Sequence, residues 1–540
     1  MDVPEVLERY FPAIDRVRPE QAEAIDALGR GQSVLALLPT GYGKSLIYQV
    51  AGLASGKSTI VVSPLVALMR QQREQLAAKG IAAVNLSGMG SAEQAGLLTR
   101  MAREGLPQFL FASPERLSND GYFEHVLSMR RDDIGLVVVD EVHCVSQWGE
   151  GFRPAYRGIP LALDRVFGPD WPTVLCLTAT LNARQQAEVE RDFRIEAVVR
   201  GREMRRENLR LEKTVLREGG DPERSTKDEE LERILDAHRG EKVLVFVHRK
   251  YGKRGTTRTL CEKYRDVYEG VAFFDSAMTD AEKDRVLRGF ADGTVKVVFA
   301  TSAFGMGVDI PDIRVVVTYL VSETVEAYYQ EVGRAGRDGL PAWGHLLYTN
   351  QSRKGRIRLL GRSLCTRASI ESEWEERRPS RGYRFGSVGV TYDPSNEERR
   401  TAFALLVDYG VLVVVAKGVQ SLDCLQGVTA EGKAFLAELR SHTKTGLVKV
   451  CAKRSGRDIP SLTHEIWSHC ASGDIRIKSE PTRAVFYRVG NELTDEIAER
   501  IVADQEAKRR ARRRAFERFA DGIEDEGRTM QDLVDEALGF

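Results

Sequence analysis

A chain of 540 residues has room for about three domains at the usual ~100–200 residues each. Its 79 basic and 79 acidic residues cancel, so overall charge draws no polyanion, and any such partner must meet a local basic patch. Seven scattered cysteines without a CxxC pair fit reduced thiols; with no leader pattern at Met1-Asp2-Val3-Pro4-Glu5 and no membrane-spanning apolar run, they predict a soluble, cytoplasmic protein without a membrane partner.

In chain order, apolar runs at 34–38, 59–62, 109–112, 136–139 and 174–177 alternate with helical stretches. Runs this short predict parallel strands covered on both faces, a doubly wound α/β domain over 1–207. An Arg-rich passage at 200–206 and a Gly-, Asp- and Glu-rich loop at 218–229 mark a boundary. The alternation resumes at 243–247, 271–274, 297–300 and 315–319, predicting a second α/β domain over 208–350. Then comes a basic connector over 351–394, with Arg353, Lys354, Arg356, Arg358 and Arg362. A helix at 402–409, strands at 411–416 and 419–426 around a Lys-Gly turn, and a helix capped by Thr429 read as a winged helix over 395–442. The accessory region 443–540 ends in a helix in which Lys508, Arg509, Arg510, Arg512, Arg513 and Arg514 are nearly consecutive. So many cations ring a helix, as a solvated strut or as a nucleic-acid contact.

Chemistry concentrates after the first strand, at Pro39-Thr40-Gly41-Tyr42-Gly43-Lys44-Ser45. Two glycines let the backbone turn tightly, the following helix N-terminus adds partial positive charge, and Lys44 reaches the outer phosphates of a nucleotide. Ser45 is placed to ligate Mg²⁺. Leu38 stands where the strict P-loop pattern has Gly, so the match is to the looser form. The run 136–139 delivers Asp140-Glu141-Val142-His143 to a strand end, where ligands bind such sheets. Asp140 suits Mg²⁺ and Glu141 suits proton abstraction from water, which makes the pair and the P-loop an NTPase signature. In the second domain, Gln330 to Gly339 sets Arg334 and Arg337 three apart on one side of a helical turn. A guanidinium from there, meeting a γ-phosphate bound by the first domain, would act only in a closed cleft.

These motifs, with Arg18-Pro19-Glu20-Gln21, Ser63-Pro64-Leu65, Thr178-Ala179-Thr180 and Ala303-Phe304-Gly305-Met306-Gly307, resemble superfamily 2 helicases over about residues 10–350. The loop from His143 to Pro154, which carries Trp148, Phe152 and Arg153, is similar to the aromatic-rich loop of the RecQ family. The resemblance implies two RecA-like domains, ATP and Mg²⁺ as cofactors, and single-stranded and tailed duplex DNA as partners. It also implies adenine contacts by Arg18 and Gln21, ribose contact by Asp309, catalytic roles for Lys44, Asp140, Glu141, Gln330, Arg334 and Arg337, and strand contacts by Ser63, Pro64, Trp148, Phe152 and Arg153. Aromatic faces in such a loop stack bases at ~1–3 kcal/mol each, whatever the sequence.

The chain departs from the family at Val142, at Glu150-Gly151, at Asp275 and at Gly307-Val308-Asp309-Ile310-Pro311. After residue 350 it shows no counterpart of the family's four-cysteine module. No zinc site is expected, because Cys365, Cys424 and Cys451 are isolated and His464, His469 and Cys470 do not share a helix face. The C-terminal third therefore leaves room for a different partner, a protein included. The reading is an α/β ATP-dependent DNA helicase with an α+β C-terminal region, working in the cytoplasm and on the nucleoid if prokaryotic. Its rivals are a translocase or remodeller with little unwinding, an RNA helicase, and a winged-helix regulator whose ATPase domains act as a switch.

Overall fold

The apolar runs become the strands of two parallel sheets. The computed structural model describes residues 2–14, 16–39, 41–145, 154–179, 181, 183–201, 205–216, 226–247, 249, 252, 255–305, 310–361, 365–379, 384–389, 397–419, 421–442, 447, 458–478 and 483–538. Strands β1 (Val34–Leu37), β2 (Ser58–Val62), β3 (Ala83–Asn85), β4 (Phe109–Ala112), β5 (Ile134–Asp140), β6 (Thr173–Thr178) and β7 (Ala197–Arg200) lie in the order β3-β4-β2-β5-β6-β1-β7. Every pairing is parallel, so helices must cross back over both faces. That is why β1, β2 and β4 are buried along their whole length.

The second sheet repeats the plan. Strands β8 (Leu209–Val215), β9 (Lys242–Phe246), β10 (Val271–Phe274), β11 (Val297–Ala300), β12 (Ile313–Thr318) and β13 (Ala342–Tyr348) pair in parallel in the order β10-β11-β9-β12-β13-β8. The expected strands are present; β3, β7, β8 and β13 were not among them. β8 alternates apolar and charged residues as an edge strand, and Gly344 and His345 interrupt the apolar pattern of β13.

Past residue 350 the strands are antiparallel. Strands β14 (Gly386–Gly389), β15 (Leu412–Val419) and β18 (Arg483–Val489) pair in the order β14-β18-β15, and β16 (Leu425–Gly427) pairs with β17 (Ile475–Ile477). The hairpin expected over 411–426 does not form. Lys417-Gly418 continues β15 instead of turning, because a bare Gly418 lets Thr463 and Phe486 close in; a Cβ there would lie 2.9 and 3.0 Å from them. Helix Glu397–Asp408, β15, β16, helix Ala430–His442, helix Ile459–Ser472, β17 and β18 follow one another along the chain.

This module is fused to the first sheet. Trp467 stacks on Tyr122 with ring centroids 5.2 Å apart and donates its indole N–H to the Lys417 carbonyl at 3.0 Å. Lys417, 4% exposed, meets Glu124 at 2.5 Å, and the Cys470 carbonyl accepts from Thr99. Leu462, Ile466, Trp467 and Phe486 share one apolar core with Leu35, Val137 and Tyr156. Helix Asp495–Glu524, about 45 Å long at 1.5 Å per residue, then crosses to the second sheet. Its Ile501 packs with Trp374 and Leu406, while Phe516, Phe519 and Ile523, with Met530 and Leu533 beyond, lie in the core of the second sheet. The basic run on this helix is largely engaged: Arg512 grips Glu323 at 2.6 and 2.7 Å, and Arg510 and Arg513 pair with Glu506 and Glu517. Among the described residues, no helix is long and apolar enough to cross a membrane.

Two outcomes follow. Phe519→Ala should destabilise the second domain by about 3–5 kcal/mol, read from urea unfolding, because it opens a cavity in a core the sequence assigns to a surface helix. The docked module should also weaken in acid. Burial and the His464 ring, 4.8 Å away, push His125 down to about 4. A depressed histidine contributes stability that is present above about 6.5 and is lost as pH falls through 4, here roughly 3 kcal/mol. Melting curves between pH 7 and pH 4.5 should therefore fall further for the wild type than for His125→Gln.

Candidate nucleotide-binding site

The carboxyl ends of β1, β6 and β5 form the floor of the site, with β6 in the middle. After β1 the chain turns through Gly41 (φ 81°) and Gly43 (φ 77°), both left-handed, and enters helix Lys44–Ser55 with Gly43 as its cap. Only glycine adopts these angles freely, and a Cβ on Gly43 would lie 2.8 Å from the Gln21 amide nitrogen. Gln21 is the strut of the turn: its Nε2 donates to the carbonyls of Tyr42 (2.8 Å) and Gly43 (3.1 Å), and its Oε1 accepts from the Arg18 amide. The Arg18 guanidinium lies over the Tyr42 ring at 4.3 Å, and the Tyr42 hydroxyl donates to Glu20. Burial and Glu20 push the Tyr42 phenol up to about 12. Lys44 reaches back to the Leu38 carbonyl at 3.2 Å, and Ser45 opens the helix.

β5 ends on Asp140, whose carboxylate accepts from the Ser63 hydroxyl at 3.2 Å and whose carbonyl accepts from the Tyr156 hydroxyl at 2.7 Å. Glu141 follows at φ 51°, a left-handed angle uncommon outside glycine and a mark of local strain at a working site. His143 Nδ1 lies 3.2 Å from the Glu141 carboxylate and 3.0 Å from the Thr178 hydroxyl, and the Thr178 carbonyl accepts from the Leu38 amide. Thr178 thus joins the P-loop to the acidic box. Burial and the Glu141 charge push Asp140 up to about 6. Burial acts the same way on Glu141, but His143, Lys44 and Arg334 outweigh it and hold the carboxyl near 2. Two adjacent half-buried carboxylates, one of them disfavoured as an ion, suit a divalent cation, with Asp140 and Ser45 as the groups that would hold it.

The second domain closes the site. Helix Val325–Val332 carries Gln330, and the turn after it carries Arg334 and Arg337. A methyl on Gly41 would lie 3.9 Å from Arg337 Cγ, so the side chain reaches the P-loop. Arg334 is near enough to Glu141 to help keep it ionised, and its buried Nε makes no hydrogen bond. Burial and Arg337 push Arg334 down to about 9. A cationic pair carried to the P-loop by the second domain suits neutralising charge on a phosphate held there. Arg70 and Asp284 add a cross-cleft ion pair at 3.0 Å.

The structure therefore brings together Arg18, Gln21, Gly41, Tyr42, Gly43, Lys44, Ser45, Asp140, Glu141, Arg334 and Arg337. Thr40, Trp148, Phe152, Arg153 and Asp309 lie outside the described residues. Ser63 and Pro64, expected at the strand-binding face, are buried, with the Ser63 hydroxyl turned to Asp140. The zinc candidates diverge: His464 meets His125, Cys470 is buried, and His469 lies against Phe435 and 3.4 Å from Asp474. Sequence reasoning placed Thr178 in a motif without giving it a role, and missed Tyr156 as a brace, whose local pattern carries no signal of the contact.

Residues 18–189 match the family described as DEAD/DEAH box helicase, and residues 226–339 match the helicase conserved C-terminal domain. With two parallel sheets and both helicase domains matched in order, the chain is a superfamily 2 helicase core carrying an added C-terminal third. Its relatives narrow the class. The ATP-dependent DNA helicase RecQ of Haemophilus influenzae is 33% identical over 332 residues, 61% of this chain and 51% of that protein. The Bacillus subtilis RecQ is 31% identical over 350 residues, covering 64% and 56%, and the Saccharomyces cerevisiae helicase SGS1 is 34% identical over 331 residues, covering 60% and 22%. The chain belongs to the RecQ type of superfamily 2, and it spans about half the length of these bacterial relatives. The DNA-bound helicase MrfA shares the fold, with a TM-score of 0.53 at 18% identity over 67% of this chain and 53% of that one. Mycobacterium smegmatis Lhr bound to single-stranded DNA and AMP-PNP gives 0.53 at 20% identity over 74% and 57%.

Nucleotide binding and hydrolysis should separate by mutation. Lys44→Ala should abolish binding of a fluorescent ATP analogue, whereas Glu141→Gln should bind it normally and release no phosphate.

Proposed function

We propose that the chain is an ATP- and Mg²⁺-dependent DNA helicase that tracks 3′ to 5′ on single strands and opens tailed duplexes. The observation that carries this is the cross-cleft arrangement: Arg334, with an unpartnered buried Nε, sits beside Glu141 of the other domain, and Arg337 sits at Gly41. Lys44 and the P-loop amides hold the outer phosphates, and Arg18 and Gln21 flank the base, with Asp309 on the ribose. Glu141, ionised at neutral pH, takes the proton of the attacking water. Arg334 and Arg337, with Gln330 ordering them, neutralise charge that builds on the transferred phosphoryl oxygens. Bound Mg²⁺ would supply charge neutralisation between the phosphates, held by Ser45 and Asp140.

Because the two halves of this machinery sit on different domains, hydrolysis requires closure and release permits opening. A strand gripped differently in the two states is thereby stepped along. Trp148, Phe152 and Arg153 are the groups we assign to sensing that strand. The relatives' activity as DNA helicases supports DNA over RNA, and the place of work is the cytoplasm, on the nucleoid in a prokaryote.

ATP turnover with single-stranded DNA, duplex DNA or RNA, alongside unwinding of 3′- and 5′-tailed duplexes, tests this reading. Single-stranded DNA should stimulate most and the 3′-tailed duplex should open first. Arg337→Ala should slow turnover on the order of 10³-fold. Stimulation by RNA alone, or an Arg337→Ala enzyme at wild-type rate, would refute it.

A further inference from the structure

The segment joining the two sheets is built into the arginine-bearing turn. β7 leaves the first sheet at Arg200 and β8 enters the second at Leu209. Between them, Arg206 Nη1 donates to the Gly333 carbonyl at 2.9 Å, and its Nη2 donates to the Gly336 carbonyl. Asn208 Nδ2 donates to the Gly336 and Leu340 carbonyls, each at 2.8 Å. Gly333 and Gly336 bracket Arg334 and Ala335, and Arg337 comes next.

These carbonyls lie just past the C-terminus of helix Val325–Val332, where backbone acceptors have no partner within the helix and where a cation also meets the negative end of its dipole. One forked guanidinium serves two of them, which an ammonium cannot do in the same geometry. Gly336 has φ 58°, and a Cβ there would lie 2.7 Å from the Asn208 amide nitrogen and 2.8 Å from the Leu340 carbonyl, so the turn is seated directly on this segment. Burial, with Arg337 and Arg314 nearby, pushes Arg206 below its ordinary range. A tether that merely spanned the domains would leave this charge in water.

We infer that Arg206 and Asn208 form a latch through which the interdomain segment holds the arginine turn in register with the phosphate site, making Arg206 a positioning residue for hydrolysis. The latch lies where the chain passes between the domains, so rotation of one against the other loads it directly. This inference rests on the reading of the cleft as an ATPase site.

Steady-state ATP hydrolysis by the full chain, with binding of a non-hydrolysable ATP analogue and melting temperature measured in parallel, tests it. In Arg206→Ala, kcat should fall roughly 10- to 100-fold, the scale of a misplaced catalytic group. Analogue affinity and melting temperature should hold, and millimolar guanidinium should restore part of the rate. Arg206→Lys should fall between wild type and Arg206→Ala, and Asn208→Ala should lower kcat in the same sense. A folded Arg206→Ala protein with full kcat overturns the latch. So does a rate loss that follows the melting temperature in both alanine variants without guanidinium rescue, because that marks ordinary structural support. A wild-type chain with no ATPase activity would instead remove the reading on which the latch depends, a failure visible before any variant is made.

Discussion

Everything in this molecule depends on holding two guanidinium groups of one domain against the phosphate loop of another. Like charges desolvated together repel, as the depressed Arg334 shows. What offsets the repulsion here is Glu141 across the cleft; the donors behind the turn fix its position, although Arg206 brings a third cation beside the pair. The cost would be greatest in a closed cleft without an anion, so a bound phosphate would favour the closed form over an open one. That differential affinity is the only way a ligand can shift such an equilibrium.

The C-terminal third adds a second tie between the domains. Its α+β module is continuous with the core of the first sheet, and the helix Asp495–Glu524 carries that connection into the core of the second. Lys213 in the second sheet donates to the carbonyls of Gly522, Ile523 and Asp525 at the end of this helix, and Arg353 pairs with Asp521 and Glu524. An opening between the two sheets would therefore not be a free hinge. It would have to bend or tilt a long helix anchored at both ends, which converts a loose motion into one with a defined path.

The site was legible where function demands a residue type at a fixed spacing. Gly41 and Gly43 are required by left-handed backbone angles, Asp140 and Glu141 by the end of a buried strand, and Arg334 and Arg337 by a shared turn; each pattern is local, and each is where the sequence places it. What stayed hidden is long-range. The amide of Gln21, a residue the resemblance places at the base, also braces the phosphate loop, and only the fold brings residue 21 beside residues 42 and 43. Ser63 turned inward for the same reason. The basic helix near the C-terminus looked solvated because its composition is polar, and composition alone does not show that Phe516, Phe519 and Ile523 close the second core from one face. The misplaced wing has a similar origin. Lys417-Gly418 reads as a turn, but the space left by the missing Cβ is filled by Thr463 and Phe486.

That last rearrangement constrains how the C-terminal module could meet a nucleic acid. Were the module to act as a winged helix, Ile459–Ser472 would be the helix placed to enter a groove. Here its Leu462, Ile466, Trp467 and Cys470 are buried against the first domain, and its His464 faces His125. Freeing it would expose several large apolar side chains at about 1.5–3 kcal/mol each, and would leave Lys417 and Glu124 as separated charges. A groove contact would have to repay all of that. The faces that remain available without undocking are those that look away from the first domain. A strand or duplex held there is held by an element that moves with the P-loop, so any grip it provides belongs mechanically to the ATP-binding domain rather than to the domain that carries the arginines.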